Sequence, residues 1–405
     1  MNLKLKQLLR LVENSFPEIN NFHDKIQVDL VKQEDVKSFW SEIYFAKLTV
    51  KEGYEKEVLE LKLKIQIPET VFVKIPRLSE NLFRSEQKKR IDEDVLYNIM
   101  VYYNKKENLF YHHFPYNSIP NFPVPKVYNF EDITTEATGG LVAENLAEKV
   151  YAVEHVPGLN HEKVMRLMEA LAGLHAHLLR REDKRYVESF KEGANGREFM
   201  TPRMHAVMFQ EAKSFETLDP EVFGNVRIEN LKWAFDYDSK NKAMEHCIKA
   251  IPGILVHADM NVTNLLWTNN SDDIAAIIDF QMVIIGSVAH DIIRILTLTL
   301  PREQRRQGTQ GYLRHYYETL VGFFDGEEKA PFSWEELENQ YSVIFPVSSN
   351  FTLFGIAIYV KMYKDGVLGT PESRDSDCKE LIDRAKGIVE DIEALKDLYL
   401  QIANS

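Results

Sequence analysis

Along the first third of the chain, apolar and polar residues alternate, and beyond it they recur at a helical period. Leu5, Leu8, Leu9 and Val12 share one helical face, which predicts an amphipathic helix packed on the domain. Ile26 to Val31, Ile43 to Val50 and Val58 to Ile67 read as strands, the last from the run Leu-Glu-Leu-Lys-Leu-Lys-Ile-Gln-Ile. Such alternation gives each strand one wet face and one buried face, as in an antiparallel sheet. Val71-Phe72-Val73-Lys74-Ile75-Pro76 is a continuous apolar strand with a single Lys in it. A Lys in that setting either snorkels at a sheet edge or has a task. The stretch from Asn81 to about Asn104 has few breakers and reads as a helix. The proline-rich Asn117 to Pro125 reads as a loop, and the strands Lys126–Phe130 and Leu141–Leu146 follow it.

After that point helices dominate. Val164, Leu167, Met168, Leu171, Leu174 and Leu178 recur at helical spacing, and 198–251 reads as further helices. His175 and His177 fall on different faces of the first of these, so they do not suit a metal pair, and His175 reads as a satisfied core residue. Ile292–Leu300, Gln304–Phe324, Trp334–Val347, Phe351–Met362 and Asp375–Ile402 are predicted helices, with Pro301, Pro331, Pro346 and Gly366 at or near their ends.

One stretch breaks the pattern, Val256 to Asp291, where polar residues sit among apolar flanks that would bury them. A buried polar group needs a partner or a function. His257, Asp259 and Asn264 share one short loop. Leu265-Leu266-Trp267 and Ile274 to Ile278 read as two strands, and the turn residues Asn269 to Asp273 join them. The hairpin returns Asp279 to the neighbourhood of Asn264. Asp259 can accept a proton from a hydroxyl, and Asn264 and Asp279 are hard oxygen ligands suited to magnesium. Phosphoryl transfer from a nucleotide uses that set, because its catalysis is mostly positioning and charge neutralisation. Taken alone, His-x-Asp is a loop former; the ordered set with Asn264 and Asp279 is what favours chemistry. Asp291 reads as a first-turn helix acid.

Composition narrows the function classes. The 405 residues suit two lobes or two domains, and 44% hydrophobic with 27% charged residues describes a globular chain. A net charge of −13 argues against sequence-independent nucleic-acid binding, which needs a basic face. Cys247 and Cys378 make neither a disulfide framework nor a zinc site. The N-terminus has no continuous apolar core, and runs such as Ile274–Ile278 fall far short of the roughly 20 residues of a membrane span, so a cytoplasmic protein without membrane insertion is expected.

His257-x-Asp259-xxxx-Asn264 followed by Ile278-Asp279-Phe280-Gln281 resembles the catalytic and metal-binding segments of choline-kinase-like and aminoglycoside-phosphotransferase-like small-molecule kinases. Within them the chain is most similar to the ecdysteroid-kinase-like branch, especially its nematode group, from about Val36 through the C-terminal helices. The resemblance implies an α+β, two-lobed protein-kinase-like fold. Residues 1–144 would form a β-rich nucleotide-binding lobe with one long helix, and 145–405 a helical lobe with the catalytic loop, metal site and acceptor pocket. ATP and magnesium are the implied cofactors, and a small-molecule hydroxyl is the implied acceptor. Asp259 would be the catalytic base, His257 its loop brace, and Asn264 and Asp279 the metal ligands, while Asp291 would support the loop. Lys74 corresponds to the phosphate-contacting Lys of the third strand. Glu93, followed four residues on by Tyr97, corresponds to its helical partner, with Glu86 as a competitor. Backbone groups near Glu144 and Leu146 would meet adenine.

Three departures stand out. Ala258 replaces the usual Gly between His and Asp, and Asn261 replaces a frequent Trp. Val36 and Ser38 occupy the glycine positions of the phosphate loop, where the hydroxyls of Ser38 and Ser41 would have to serve instead. A glycine-poor loop suits the competing reading, a catalytically degenerate nucleotide-binding or scaffold protein. A protein kinase is disfavoured, since Gln281 replaces the Gly of Asp-Phe-Gly.

Overall fold

A computed structural model describes residues 3–33, 40–58, 60, 67–77, 93–192, 201–224 and 226–404. The chain divides into two compact units, Met1–Ser118 with Val124–Val150, and Ile119–Pro123 with Tyr151–Ser405. The division thus falls after Val150 rather than after Glu144. The short segment Ile119–Pro123 joins the second unit because it is bonded there. The Ile277 N–H donates to the Pro123 carbonyl at 2.9 Å, and a Cβ on Gly173 would lie 2.6 Å from the Pro120 carbonyl oxygen.

The first unit is built on a five-stranded antiparallel sheet. Its helix α1 (Leu3–Glu13) precedes β1 (Ile26–Lys32), β2 (Ser41–Val50) and β3 (Thr70–Pro76). Then come α2 (Glu93–His113), β4 (Val127–Ile133) and β5 (Thr138–Glu144), giving the strand order β1-β2-β3-β5-β4. In α1, Leu8, Leu11 and Val12 are buried against the sheet, whereas Leu5 is exposed. β3 is central, which explains its unbroken apolar run: both of its edges are paired, with Ile43 opposite Lys74 on one side and Leu141 opposite it on the other. Gly140 lets β5 approach, since a Cβ there would stand 2.5 Å from the Lys74 carbonyl oxygen.

Two local expectations change. Val58 ends a helical turn, its N–H bonded to the Tyr54 carbonyl at 3.0 Å, so the alternating stretch does not begin as a strand. Residues 61–66 lie outside the described residues. The long helix runs on past Asn104 to His113, because nothing breaks it before Pro115.

The second unit is mostly helical. Labelled in chain order, α3 (His161–Arg180), α4 (Pro202–Lys213) and α5 (Tyr237–Ala250) lead into β6 (Leu255–Val256). The hairpin β7 (Leu265–Thr268) and β8 (Ile274–Ile277) follows, and β9 (Ile284–Ile285) pairs back onto β6. The remaining helices are α6 (His290–Thr299), α7 (Arg302–Gly322), α8 (Trp334–Lys364), α9 (Arg374–Ala394) and α10 (Lys396–Asn404). A sheet-rich N-terminal unit followed by a helical C-terminal unit is the expected α+β order.

The helix α8 runs unbroken through Pro346, where a break was expected. A proline inside a helix costs roughly 3 kcal/mol. Here Val343, Ile344, Phe345, Val347, Leu353 and Ile356 are all buried around it, and each contributes a comparable amount. Among the described residues α8 is long and apolar enough to cross a membrane, yet 78% of that window is buried inside the protein, as in a core helix. Cys247 and Cys378 are free and buried.

Candidate active site

The loop that carries Asp259 is held from both sides. Its first anchor is Asp291, fully buried in the first turn of α6. The Asp291 carboxylate accepts the backbone N–H groups of His257 at 2.7 Å and of Ala258 at 2.9 Å. Burial pushes the Asp291 carboxyl up from its ordinary value, against the opposing pull of His257 and those two N–H groups. The second anchor is the His257 ring. Its Nδ1 receives the Asp259 N–H at 3.2 Å, and its Nε2 donates to the Ile278 carbonyl at 2.9 Å. Both ring nitrogens are engaged by backbone groups, so the His257 ring ties its loop to the end of the hairpin.

Between the anchors the backbone is strained. Ala258 has φ 65° and Asp279 has φ 68°, the left-handed region that L-residues enter at a cost of about 1–2 kcal/mol. Strain of this kind collects at functional sites. Glycine at the first position relieves it: Ala258→Gly should raise stability by about 1 kcal/mol, read as a higher urea midpoint with unchanged slope. A lower midpoint would mean that packing of the buried Ala258 methyl outweighs the strain.

Asp259 is oriented by two groups. Asn264 Nδ2 donates to the Asp259 backbone carbonyl at 2.9 Å and to its Oδ2 at 3.3 Å. Arg294 Nη2 donates to Oδ1 at 3.2 Å. Because the Asn264 amide nitrogen faces Asp259, its Oδ1 is the atom left for a cation. The hairpin then brings Asp279 near. Leu265 pairs with Ile277, and the Ile278 N–H reaches the Asn264 carbonyl at 3.0 Å, which puts Asp279 one residue beyond. Gln281 Nε2 donates to Asp279 Oδ2 at 3.3 Å. Among the described residues no group of three or more His, Cys, Asp or Glu could hold a metal. One amide oxygen and one carboxylate nonetheless fit magnesium, which keeps several waters and takes the rest of its shell from phosphates.

In the first unit Lys74 is buried, and its ammonium contacts Glu107 Oε1 at 3.0 Å and Oε2 at 2.9 Å. Glu107 is thus the acid shown bonded to Lys74, on the same helix α2 that begins with Glu93 about four turns earlier. The side chain of Glu93 lies outside the described residues. Glu86, Val36 and Ser38 lie outside the described residues. Ser41 is buried at the start of β2, opposite Pro76. Glu144 is engaged with Lys126: its N–H reaches the Lys126 carbonyl at 2.9 Å, and its carboxylate accepts the Lys126 N–H at 2.8 Å. The Leu146 carbonyl accepts the Lys149 N–H at 2.8 Å.

Arg294 and Glu107 were not singled out in the sequence. A lone Arg inside Ile292-Ile293-Arg294-Ile295-Leu296 was a readable signal, since a cation on a fully apolar helix must find a carboxylate. His175 is a fully buried core residue whose Nδ1 lies 2.7 Å from the Tyr316 hydroxyl, while its Nε2 has no partner among the described residues.

Comparison with known proteins supplies the family. The profile of DUF1679, described as "Uncharacterized oxidoreductase dhs-27", matches residues 5–399. The chain belongs to the DUF1679 family. A relative from Caenorhabditis elegans, "Uncharacterized kinase-like protein D1044.1", is 32% identical over 391 residues, covering 95% of this chain and 98% of that protein. A second protein of that nematode, "Uncharacterized oxidoreductase dhs-27", is 22% identical over 269 residues, 64% of this chain but only 31% of the relative. Among solved structures, a GDP complex of an aminoglycoside 2'-phosphotransferase is similar at 11% identity and a TM-score of 0.43, covering 95% of this chain and 96% of that one. A macrolide 2'-phosphotransferase from Brachybacterium faecium is similar at 11% identity and a TM-score of 0.38, covering 93% and 98%.

Proposed function

We propose that the protein is an ATP- and magnesium-dependent phosphotransferase that phosphorylates a hydroxyl group of a small molecule. The observation that carries this reading is the fixed Asp259 carboxylate, held by Asn264 and by a loop that Asp291 and His257 brace. In the proposed reaction Asp259 accepts the proton of the acceptor hydroxyl. The hydroxyl oxygen forms a bond to the γ-phosphorus as the bond from that phosphorus to the β–γ bridging oxygen breaks, and ADP leaves. Asn264 Oδ1 and Asp279 would hold magnesium, which supplies neutralisation of the phosphate charge. Lys74, kept in place by Glu107, is assigned to the phosphates, and backbone near Leu146 to adenine.

The name of the second relative suggests an oxidoreductase instead. Two features speak against that reading. The match spans 31% of that relative. The chain contains no G-x-G-x-x-G, and its five-stranded sheet is antiparallel throughout, whereas a dinucleotide fold needs a glycine-rich turn in a parallel sheet.

Mg-ATP is expected to raise the melting temperature, by an amount that grows with concentration, while NADH leaves it unchanged. Asp279→Ala should abolish that shift more completely than Asn264→Ala, because a carboxylate contributes a full charge to the cation. If Mg-ATP produces no shift in the parent protein, the phosphotransferase reading fails and a non-catalytic role takes its place.

A further inference from the structure

Around Arg294, which holds the Asp259 carboxylate, the second unit collects buried nitrogen atoms that lack partners among the described residues. Arg294 is 2% exposed, and its Nη1 donates to Thr352 Oγ1 at 3.2 Å while its Nη2 holds Asp259. Its guanidinium lies over the Phe351 ring at 4.6 Å, and its Nε–H has no acceptor. One turn earlier, on the same face of α6, stands His290, 8% exposed, whose Nδ1 has no partner. Lys240 carries charge that bears on His290, and its ammonium meets His205 Nε2 at 3.2 Å rather than a carboxylate. His155 lies against Tyr359 with ring centroids 4.0 Å apart, feels the charges of Arg384 and, less, of Arg294, and has an unpartnered Nε2.

The acids near this array have other work. Asp291 holds two loop N–H groups, and Asp236 accepts from the Ser239 N–H and hydroxyl. Leaving a buried donor unsatisfied costs about 1–3 kcal/mol, more when it is charged. Arg294 Nε–H is such a donor, on the guanidinium that already holds Asp259, and the neutral imidazoles of His290 and His155 each leave one ring nitrogen open near that guanidinium; an anion entering with the substrate would satisfy the open N–H.

We propose that the acceptor is an anionic alcohol, a hydroxy acid or sugar acid, whose carboxylate is received by Arg294 with His290 beside it. This rests on the phosphotransferase reading and deepens it. As the ligand carboxylate takes the guanidinium fork, Asp259 Oδ1 is released from Arg294 and becomes available to the acceptor hydroxyl. Thr352 and the Phe351 face keep the guanidinium in plane during the exchange. Arg is suited to the task because its fork matches a carboxylate bidentately. Arg294 is thus a positioning and specificity residue, and Asp259 remains the base.

The test uses the full chain with Mg-ATP and matched probes: D-glucuronate against D-glucose, D-glycerate against glycerol, and kanamycin as a cationic alcohol. Phosphorylated product is read by mass spectrometry and ADP by a coupled assay. The acids should exceed their neutral counterparts by at least about 100-fold in kcat/KM, since a site built for a polar group strongly rejects analogues that lack it. Arg294→Gln should erase that preference, and Arg294→Lys, which keeps the charge and loses the fork, should keep part of it. Equal or better turnover of the neutral or cationic probes overturns the proposal while leaving the phosphotransferase reading intact. Should Mg-ATP not bind at all, that reading fails by itself. The anion site is then judged by glucuronate- and glycerate-induced shifts of the His290 and His155 imidazole resonances. Shifts seen in the parent and lost in Arg294→Gln support it, and their absence in the parent overturns it. Arg294→Lys serves in place of Arg294→Gln if the latter does not fold.

Discussion

Asp259→Asn lowers turnover by about 10²–10⁴-fold while leaving the fold and the Mg-ATP thermal shift in place. The amide keeps the shape of the side chain and can still face Asn264, but it accepts no proton. It also presents an N–H₂ or a neutral oxygen to Arg294, so the ion pair at 3.2 Å is lost. KM for the acceptor therefore changes along with kcat. Steady-state kinetics and a melting curve on the same preparation separate the two effects. Turnover within a few-fold of the parent would remove Asp259 from the role of base, and the chemistry would have to be sought elsewhere in the loop.

Acid unfolds the protein steeply. Burial lowers the pKa of His155 and His205 to about 4 and of His175 and His290 to about 3. In the unfolded chain each histidine titrates near its ordinary value of about 6.5. As pH falls below that value the unfolded state takes up protons first, so the stability these groups contribute is complete above about 6.5 and is lost towards their folded values. Four groups at about 1.4 kcal/mol per pH unit each give a limiting slope of about 5.6 kcal/mol per pH unit. Against a typical stability of about 5–15 kcal/mol, that is enough to unfold the second unit by about pH 4–5. Urea midpoints measured from pH 7 to pH 4.5 report the slope, and His175→Gln should reduce it by about a quarter. A slope under about 1 kcal/mol per pH unit would mean that these imidazoles are hydrated in solution.

The grouping of His257, Asp259, Asn264 and Asp279 was legible because polar residues interrupted an apolar context at fixed spacing, and local chain geometry then decided where they went. Asn264 and Asp279 are joined by a hairpin of four-residue strands, a separation that turn residues reveal. Glu107 was not legible in that way. Helical periodicity gives the face of an acid but not the height at which a strand crosses the helix, and α2 offers several acids along its length. Arg294 was hidden for a different reason, since its partner lies in another element, and only the fold brings Asp259 to it. The failure of Pro346 to end α8 has a third cause: tertiary burial on both sides outweighs a local preference that sequence reading weighs alone. In the first unit the strands Ile43–Val50 and Val71–Pro76 were read from alternation and apolar continuity, whereas the alternation beginning at Val58 does not start a strand.

The two N–H groups that Asp291 receives follow one another on the catalytic loop, while its own Cα lies in the first turn of α6, a helix whose every residue is buried. A loop normally exchanges its amide protons with solvent through small private fluctuations. Here neither the His257 nor the Ala258 proton is released until both bonds to one carboxylate let go or the start of the helix opens. In deuterated solvent these loop protons accordingly keep time with α6: the loop that holds Asp259 has surrendered its own motion to the helix that carries Arg294.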